Sequence, residues 1–354
     1  MNLGVTKEKR IKAALVGLGF GRQVLKPMIL EGLASKYFDC VAVCDANEER
    51  TKLTAEEHGL RGYTDLDELL KDEEIRVIIL ITGPNGRADL ITKIIESGRD
   101  VMTTKPFEQD ADAALRVFKR AKELGRVIHM NSPSLTPSRD IQTIRQWQEK
   151  YNLGQLCAGR WEGWYKVVEK ADGSWYDDPD TCPAAPLFRL GIYGLNDMAL
   201  LFGEAEYVQV QQSRFFTGRP TPDLAQMNIK FKSGALFSML GGWCIEPWRG
   251  VCGLTLFHEH GTIVRDVDWP SYAAGKERIT LKVFTPESGF GQPVECIALD
   301  DEDSSSSYRW DLFYEAIHGK EFEAQATPES IASAIRIVNA MRVAAKSGDQ
   351  VAVV

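Results

Sequence analysis

Residues 13–22 read Ala-Ala-Leu-Val-Gly-Leu-Gly-Phe-Gly-Arg, a short apolar run that breaks into three alternating glycines. A buried strand that ends in glycines and enters a helix turns backbone N–H groups toward a space where a pyrophosphate can sit. Gly17 permits the tight turn, and Gly19 lets the backbone approach a phosphate. The sixth position of this fingerprint, ordinarily Gly or Ala for close helix–strand packing, is Arg22, and the third glycine arrives one residue early as Gly21. The next apolar run, 40–44, ends in Asp45, roughly 20 residues beyond the turn, where a ribose 2′-hydroxyl requires an acidic acceptor. Turn and acid together predict a dinucleotide site formed by Gly17, Gly19, Phe20, Gly21, Arg22 and Asp45. An ordinary strand–turn–helix, with Asp45 as a strand-end turn residue, is the plainer alternative. Alanine and asparagine follow Asp45 and no arginine stands beside it, which predicts NAD over NADP.

Up to about residue 130 the pattern alternates strand and helix, the signature of a parallel sheet wrapped by helices. Strands are predicted at 13–16, 41–44, 77–81, 100–102 and 127–130. A helix over 110–124 is capped by Asp110, stopped by Gly125 and apolar at Ala114, Val117, Phe118, Ala121 and Leu124. Asn131 to Pro137 holds two prolines and breaks the rhythm, so the predicted division is 1–131 and 132–354. At 354 residues the chain exceeds what one core comfortably fills. After a helix near 140–150 the second part offers β-rich runs at 156–164, 207–216, 225–231, 235–243, 254–257 and 262–267. These argue for a mostly antiparallel sheet. The acidic, serine-rich 301–307 reads as a loop. Thr327-Pro328-Glu329 starts a helix with an N-cap and an N1 proline, and Gly348 stops it. The predicted fold class is therefore α/β with a doubly wound parallel sheet, followed by an α+β domain.

The net charge of −8 argues against nucleic acid or an anionic membrane as partner, because both demand a basic face. The longest basic run, Lys7-Glu8-Lys9-Arg10, reads as a solvated lead-in. No apolar signal region or membrane-length stretch is visible. Seven cysteines with no Cys-x-x-Cys pair suit a reducing cytoplasm, with Cys40 and Cys44 as core residues.

Six elements resemble the Gfo/Idh/MocA oxidoreductases, the glucose-fructose oxidoreductase and inositol dehydrogenase family, over nearly the full length. They are the glycine turn at 15–22, Val41-Ala-Val-Cys-Asp45, and Ile79-Leu-Ile-Thr-Gly-Pro-Asn85. The others are Ser97-Gly-Arg-Asp-Val-Met-Thr-Thr-Lys-Pro106, Trp175-Tyr-Asp-Asp-Pro179 and Leu190-Gly-Ile-Tyr-Gly-Leu-Asn196. The last is similar to the branch in which tyrosine replaces histidine. The resemblance implies a Rossmann domain followed by a large open-faced antiparallel sheet whose exposed face buries in a homodimer or homotetramer. It also implies hydride transfer between a nicotinamide and a sugar or polyol carbon. Lys105 and Tyr193 take the family's catalytic positions. Thr82, Pro84, Asn85, Thr104 and Lys105 join the cofactor site, and Trp175, Arg189, Tyr193, Asn196 and Lys105 join the substrate site.

Three departures follow from the same comparison. The family glutamate before the lysine is Thr104, the histidine after Thr-Pro-Asn is Ala88, and the aspartate four residues before the catalytic position is Arg189. That arginine removes a carboxylate from the acid/base site and leaves room for a carboxylate or phosphate on the substrate, which a guanidinium fork binds bidentately. Lysine (about 10.4) and tyrosine (about 10) are poor bases unperturbed. Each becomes usable when neighbouring cations shift it downward.

The plainer alternatives are a solvated loop lysine at 105 and a core aromatic at 193. His258-Glu-His260 abuts Gly261 at an expected hairpin and lacks a third ligand, so a turn is preferred over a metal site. His129 reads as structural, and Trp161, Trp164, Trp175 and Trp243 as core or sugar-stacking residues. The function expected is an NAD-dependent oxidoreductase acting on a sugar, sugar acid or cyclic polyol. Two rivals are elimination or glycoside hydrolysis with recycled NAD, and a non-catalytic NAD- and sugar-binding regulator.

Overall fold

The computed structural model describes residues 10–165, 170–243, 251–268, 278–289 and 291–354. Lys7 to Lys9 of the basic lead-in lie outside them. Two compact units emerge: one runs up to Asn131 and includes Tyr308–Glu323, and the other comprises Ser132–Ser307 and Ala324–Val354. The expected division is a single one, at residue 131. It places 308–323 in the second part, whereas the structure packs that segment in the first.

The first unit is built on six parallel strands: β1 (Ile11–Val16), β2 (Phe38–Cys44), β3 (Arg61–Tyr63), β4 (Val77–Leu80), β5 (Asp100–Thr103) and β6 (Ile128–Met130). Their order is β3-β2-β1-β4-β5-β6, the doubly wound arrangement with its switch point between β1 and β4. β1 and β4 are apolar on both faces because helices cover both; Ala13, Ala14, Leu15 and Val77 to Leu80 are each fully buried. The helices are α1 (Gly21–Val24), α2 (Glu48–His58), α3 (Leu66–Leu69), α4 (Arg87–Glu96) and α5 (Ala111–Leu124). Asp110 caps α5 by accepting from the amides of Asp112 and Ala113, and Gly125 ends it at φ +62°. Phe38 packs on Trp310, Phe313 and Tyr314, with ring centroids 5.5–6.1 Å apart.

The second unit opens with α6 (Arg139–Lys150) and carries a nine-stranded sheet. Its strands are β7 (Leu156–Tyr165), β8 (Ala205–Ser213), β9 (Leu224–Phe231), β10 (Leu236–Trp243), β11 (Val251–His258), β12 (Gly261–Asp268), β13 (Arg278–Phe284), β14 (Glu295–Asp300) and β15 (Val351–Ala352). The order is β14-β13-β12-β11-β7-β10-β9-β8-β15, antiparallel except for β7 beside β10. α7 (Ile192–Phe202) and α9 (Pro328–Ser347) accompany it, while α8 (Trp310–Ile317) belongs to the first unit. Alternate residues of β9 and β10 are buried (Ala225, Met227, Ile229, Phe237, Met239), which leaves Leu236 and Leu240 exposed on the other face. α9 starts as expected: the Thr327 hydroxyl accepts from the Ser330 amide at 3.2 Å, and the Ser330 hydroxyl accepts from the Thr327 amide.

β8 stops at Ser213, short of the expected 216. The reason is Asp223, whose buried carboxylate accepts from the amides of Phe215, Phe216 and Thr217 and bends them out of the ladder. Glu259 and His260 form the two-residue turn between β11 and β12, and His258 Nε2 lies 2.9 Å from Gln148 Nε2.

Candidate active site

At the carboxyl end of β1 the glycine turn is held from two sides. The Gly17 amide donates to the Cys44 carbonyl at 2.8 Å, and the Leu18 amide donates to Asp45 Oδ2 at 2.6 Å. Gly17 sits at φ +93°, and a Cβ there would lie 2.4 Å from the Ile81 carbonyl oxygen, so no other residue fits. Beyond Gly19 the space is open, with only Arg50 Nη1 reaching within 4.0 Å of where a Cβ would be. Phe20 is exposed at the rim. Gly21 is buried and packs on Leu15 and Ile81, which supplies the close helix–strand contact one residue early. Arg22 can therefore point outward, 3.9 Å from Glu57.

Asp45 does more than end a strand. Its carboxylate accepts from the amides of Leu18 and Asn47 (2.9 Å), and Arg50 Nη1 stands 3.5 Å from it. The linear sequence shows no arginine beside Asp45; the first turn of α2 brings Arg50 there. An arginine in this position also complements a 2′-phosphate, so discrimination against NADP falls to the carboxylate alone.

At the end of β4, Pro84 is buried, Asn85 is exposed and Gly86 opens α4 at φ +68°. The Thr82 hydroxyl oxygen is shielded from solvent with no hydrogen-bond partner among the described residues. At the end of β5, Thr104 is buried; its hydroxyl donates to Asn131 Oδ1 (3.3 Å) and accepts from Tyr308 (3.1 Å). Burial pushes the Tyr308 phenol up, so it remains a donor. The Lys105 amide donates to the same Asn131 oxygen at 3.1 Å, leaving the half-buried lysine side chain at the strand's end. The open side of Gly19, the shielded Thr82 hydroxyl and the turn-facing Asp45 suit a dinucleotide across β1, β2, β4 and β5.

Sequence reasoning missed Arg87. Only 1% exposed, its guanidinium donates to the carbonyls of Thr104 (2.5 Å), Pro106 and Phe107 (3.4 Å) and to that of Thr82. The signal was available: Arg87 occupies an apolar-stripe position of α4, in register with Ile91, Ile94 and Ile95. His129, on β6, is buried against Phe313, and burial, aided by Arg309, lowers its pKa to about 4. It is a neutral core residue, as expected.

In the second unit Arg189 lies in a π-helical turn, Leu187–Gly191, that runs directly into α7. Its guanidinium carbon sits 3.9 Å from the centre of the Tyr176 ring and 4.8 Å from that of Trp243. Trp175 stacks beside Tyr176 at 4.0 Å. The loop that carries both is braced from outside: Arg219 pairs with Asp177 at 2.8 Å, and the Thr221 hydroxyl donates to the Tyr176 carbonyl. Tyr193 stands half-buried in the first turn of α7. Asn196 follows three residues on, buried, and donates to Ser132 Oγ at 3.0 Å.

The glycines around Tyr193 have a packing reason. A Cβ at Gly194 would come within 2.4 Å of the Trp161 ring, and one at Gly191 within 3.2 Å. Trp161, 2% exposed, is a core residue and not a sugar platform. Behind α7 lies a buried charge cluster that sequence reasoning also missed. Arg265 pairs with Asp140 at 2.8 Å and Asp197 at 2.5 Å, and the Ser305 hydroxyl donates to Asp197. Burial pulls the Arg265 pKa down, but the two carboxylates outweigh it and the guanidinium stays charged. Burial pushes the Asp197 carboxyl up, and only Arg265 and the Ser305 donor oppose it.

Residues 11–132 match the pattern described as the oxidoreductase family with an NAD-binding Rossmann fold, and residues 141–264 match the Gfo/Idh/MocA C-terminal domain. An uncharacterized oxidoreductase of Schizosaccharomyces pombe is 27% identical over 197 residues, covering 54% of this chain and 52% of its own. Inositol 2-dehydrogenase of Rubrobacter xylanophilus is 28% identical over 86 residues, covering 24% of this chain and 25% of its own. The chain spans about half the length of the curated Schizosaccharomyces pombe relatives it matches. Among solved structures, GenD2 from gentamicin A biosynthesis, in complex with NAD, superposes with a TM-score of 0.72 over 99% of both chains at 19% identity. That likeness is one of fold.

Proposed function

We propose that this chain, which belongs to the Gfo/Idh/MocA oxidoreductase family, transfers hydride between NAD and a hydroxyl-bearing carbon of a sugar, sugar acid or cyclic polyol. The observation that carries the reading is the convergence of the glycine turn, Asp45, the Thr82–Asn85 loop and Lys105 at the carboxyl ends of neighbouring strands. Bound NAD supplies the hydride acceptor; the remaining work falls to the protein. Asp45 accepts from the ribose hydroxyl, and the backbone at Gly19, with Arg22 and Phe20 at the rim, approaches the pyrophosphate. Thr82, Pro84, Asn85 and Thr104 shape the pocket beside it.

Lys105 in the first unit and Tyr193 in the second are each assigned a role in moving the proton of the substrate hydroxyl. Arg189 has its guanidinium packed against the rings of Tyr176 and Trp243. It recognises a carboxylate or another strongly polar substrate group, with Trp175 and Asn196 completing that side. The protein works in the cytoplasm as a homodimer or homotetramer. No helix among the described residues is long and apolar enough to cross a membrane.

The test is NADH formation, followed by near-ultraviolet absorbance, across a panel of aldoses, aldonates, uronates and inositols. Oxidation of at least one supports the reading. Consumption of a glycoside or sugar acid without net NADH would instead indicate elimination or hydrolysis with recycled cofactor. Tight sugar and NAD binding without any turnover would indicate a regulator.

A further inference from the structure

We propose that Arg87 is a positioning residue for Lys105: one buried guanidinium ties the loop that ends β4 to the loop that ends β5. The inference rests on the catalytic reading of Lys105 given above. Arg87 begins α4 and is 1% exposed. Its Nη2 donates to the Thr82 carbonyl, and its Nη1 donates to the carbonyls of Thr104 and Pro106, on either side of Lys105, and of Phe107. Desolvating a guanidinium is costly unless it is well hydrogen-bonded, and here its two terminal nitrogens donate to carbonyls on two separate loops.

Buried Arg87 spans two strand-end loops instead of closing one local turn. It bridges the loop expected to line the cofactor and the loop carrying the expected base. The neighbouring contact works the same way: the Ala88 amide donates to buried Glu108 at 2.7 Å, pinning the start of α4 to the end of the Lys105 loop. Asn131 fixes the Lys105 amide from the other side. The planar fork reaches both loops at once; a lysine ammonium, a single point of donation on a flexible stem, does not reproduce it.

The experiment compares the unaltered protein with Arg87→Lys and Arg87→Met by native-state hydrogen exchange, NAD titration and steady-state kinetics. The amides of Gly83, Lys105 and Phe107 are expected to exchange about tenfold faster in both variants, while β1 and α5 keep their protection. NAD affinity should fall only a few-fold. kcat should fall on the order of 10²-fold, the scale of a displacement of about an ångström at a reacting group. Ethylguanidinium added to Arg87→Ala should restore protection of the same amides.

Unchanged exchange at those three amides in both variants would overturn the proposal. So would acceleration spread evenly through the unit, with turnover falling only as the folded fraction falls. If the three amides quicken but Lys105→Ala itself retains wild-type turnover, the clamp stands and the catalytic reading of Lys105 fails.

Discussion

The Leu18 amide donates to the Asp45 carboxylate at 2.6 Å, so the glycine turn after β1 and the acidic residue after β2 form one hydrogen-bonded unit. A carboxylate offers about four acceptor positions. Asp45 spends two on the amides of Leu18 and Asn47 and faces Arg50 at 3.5 Å, which leaves capacity for a ribose hydroxyl.

Asp45→Ala is therefore expected to act twice, loosening the turn and removing the ribose acceptor. NAD should bind about 10–100-fold more weakly, the scale of losing one or two charge-assisted hydrogen bonds. With the carboxylate gone, Arg50 is left to complement a 2′-phosphate, so NADP should overtake NAD in the variant. Arg50→Ala in the same background should abolish that gain. Titration against intrinsic tryptophan fluorescence reads all three, and tighter binding of NADP than NAD by the unaltered protein would contradict the assignment.

Lys105→Ala is expected to remove turnover while leaving NAD affinity largely intact, since the pyrophosphate and ribose contacts come from the ends of β1 and β2. Tyr193→Phe deletes one hydroxyl and should slow kcat by about 10²–10⁴-fold, or about 3–5 kcal/mol of barrier. Arg189→Ala should act mainly on KM if its contact is equally strong in ground and transition states. A collapse of kcat there would mean that the arginine tunes the base. Wild-type turnover in both Lys105→Ala and Tyr193→Phe would show that these roles do not transfer to this chain.

Legibility in the sequence followed how local each signal was. The glycine turn, Asp45, the α5 caps and the Thr327 capping box are set within a few residues, and all could be read directly. Arg50, five residues further on, could not, because it faces Asp45 only once the first turn of α2 has formed. Arg87 was hidden by its type: a charge in an apolar stripe reads as surface unless its acceptors, two strand-end loops, are known. Asp197 and Arg265 find each other across 68 residues of chain, beyond any pattern of spacing. β13, Arg-Ile-Thr-Leu-Lys-Val-Phe, alternates cleanly and was open to reading; β15 has two residues and exists only because β8 offers an edge.

Arg265→Met should destabilise the second unit strongly, by about 3–5 kcal/mol, because it strands two buried carboxylates. The pH dependence has a definite sign. Asp197 titrates above its ordinary value in the fold, so the native state holds its proton more readily than the unfolded chain does. Removing the guanidinium enlarges that difference. The variant's deficit should therefore be smallest in mild acid and grow as pH rises toward neutrality. Thermal unfolding of both proteins across that range tests it, and a deficit independent of pH would count against a charge-based role.

On the sheet of the second unit, Leu236 (57%) and Leu240 (37%) on β10 and Phe257 (41%) on β11 are exposed, with β7 between the two strands. A dimer or tetramer that covers this face would remove apolar surface from water. Light scattering at micromolar concentration should return a multiple of 39.6 kDa. Leu240→Asp with Phe257→Asp should shift it to the monomer; a monomeric mass for the unaltered protein would exclude the assembly.

The return of Tyr308–Glu323 to the first unit sets an order of events during synthesis. Phe38 belongs to the second strand made, yet its aromatic neighbours Trp310, Phe313 and Tyr314 leave the ribosome only after β14. Until then the nascent nucleotide-binding unit carries an uncovered aromatic face. It has to wait, through the making of eight of the second sheet's nine strands, for its last helix. A fragment ending at residue 131 would be held permanently at that stage, prone to self-association and exposed to holding chaperones, however complete its glycine turn.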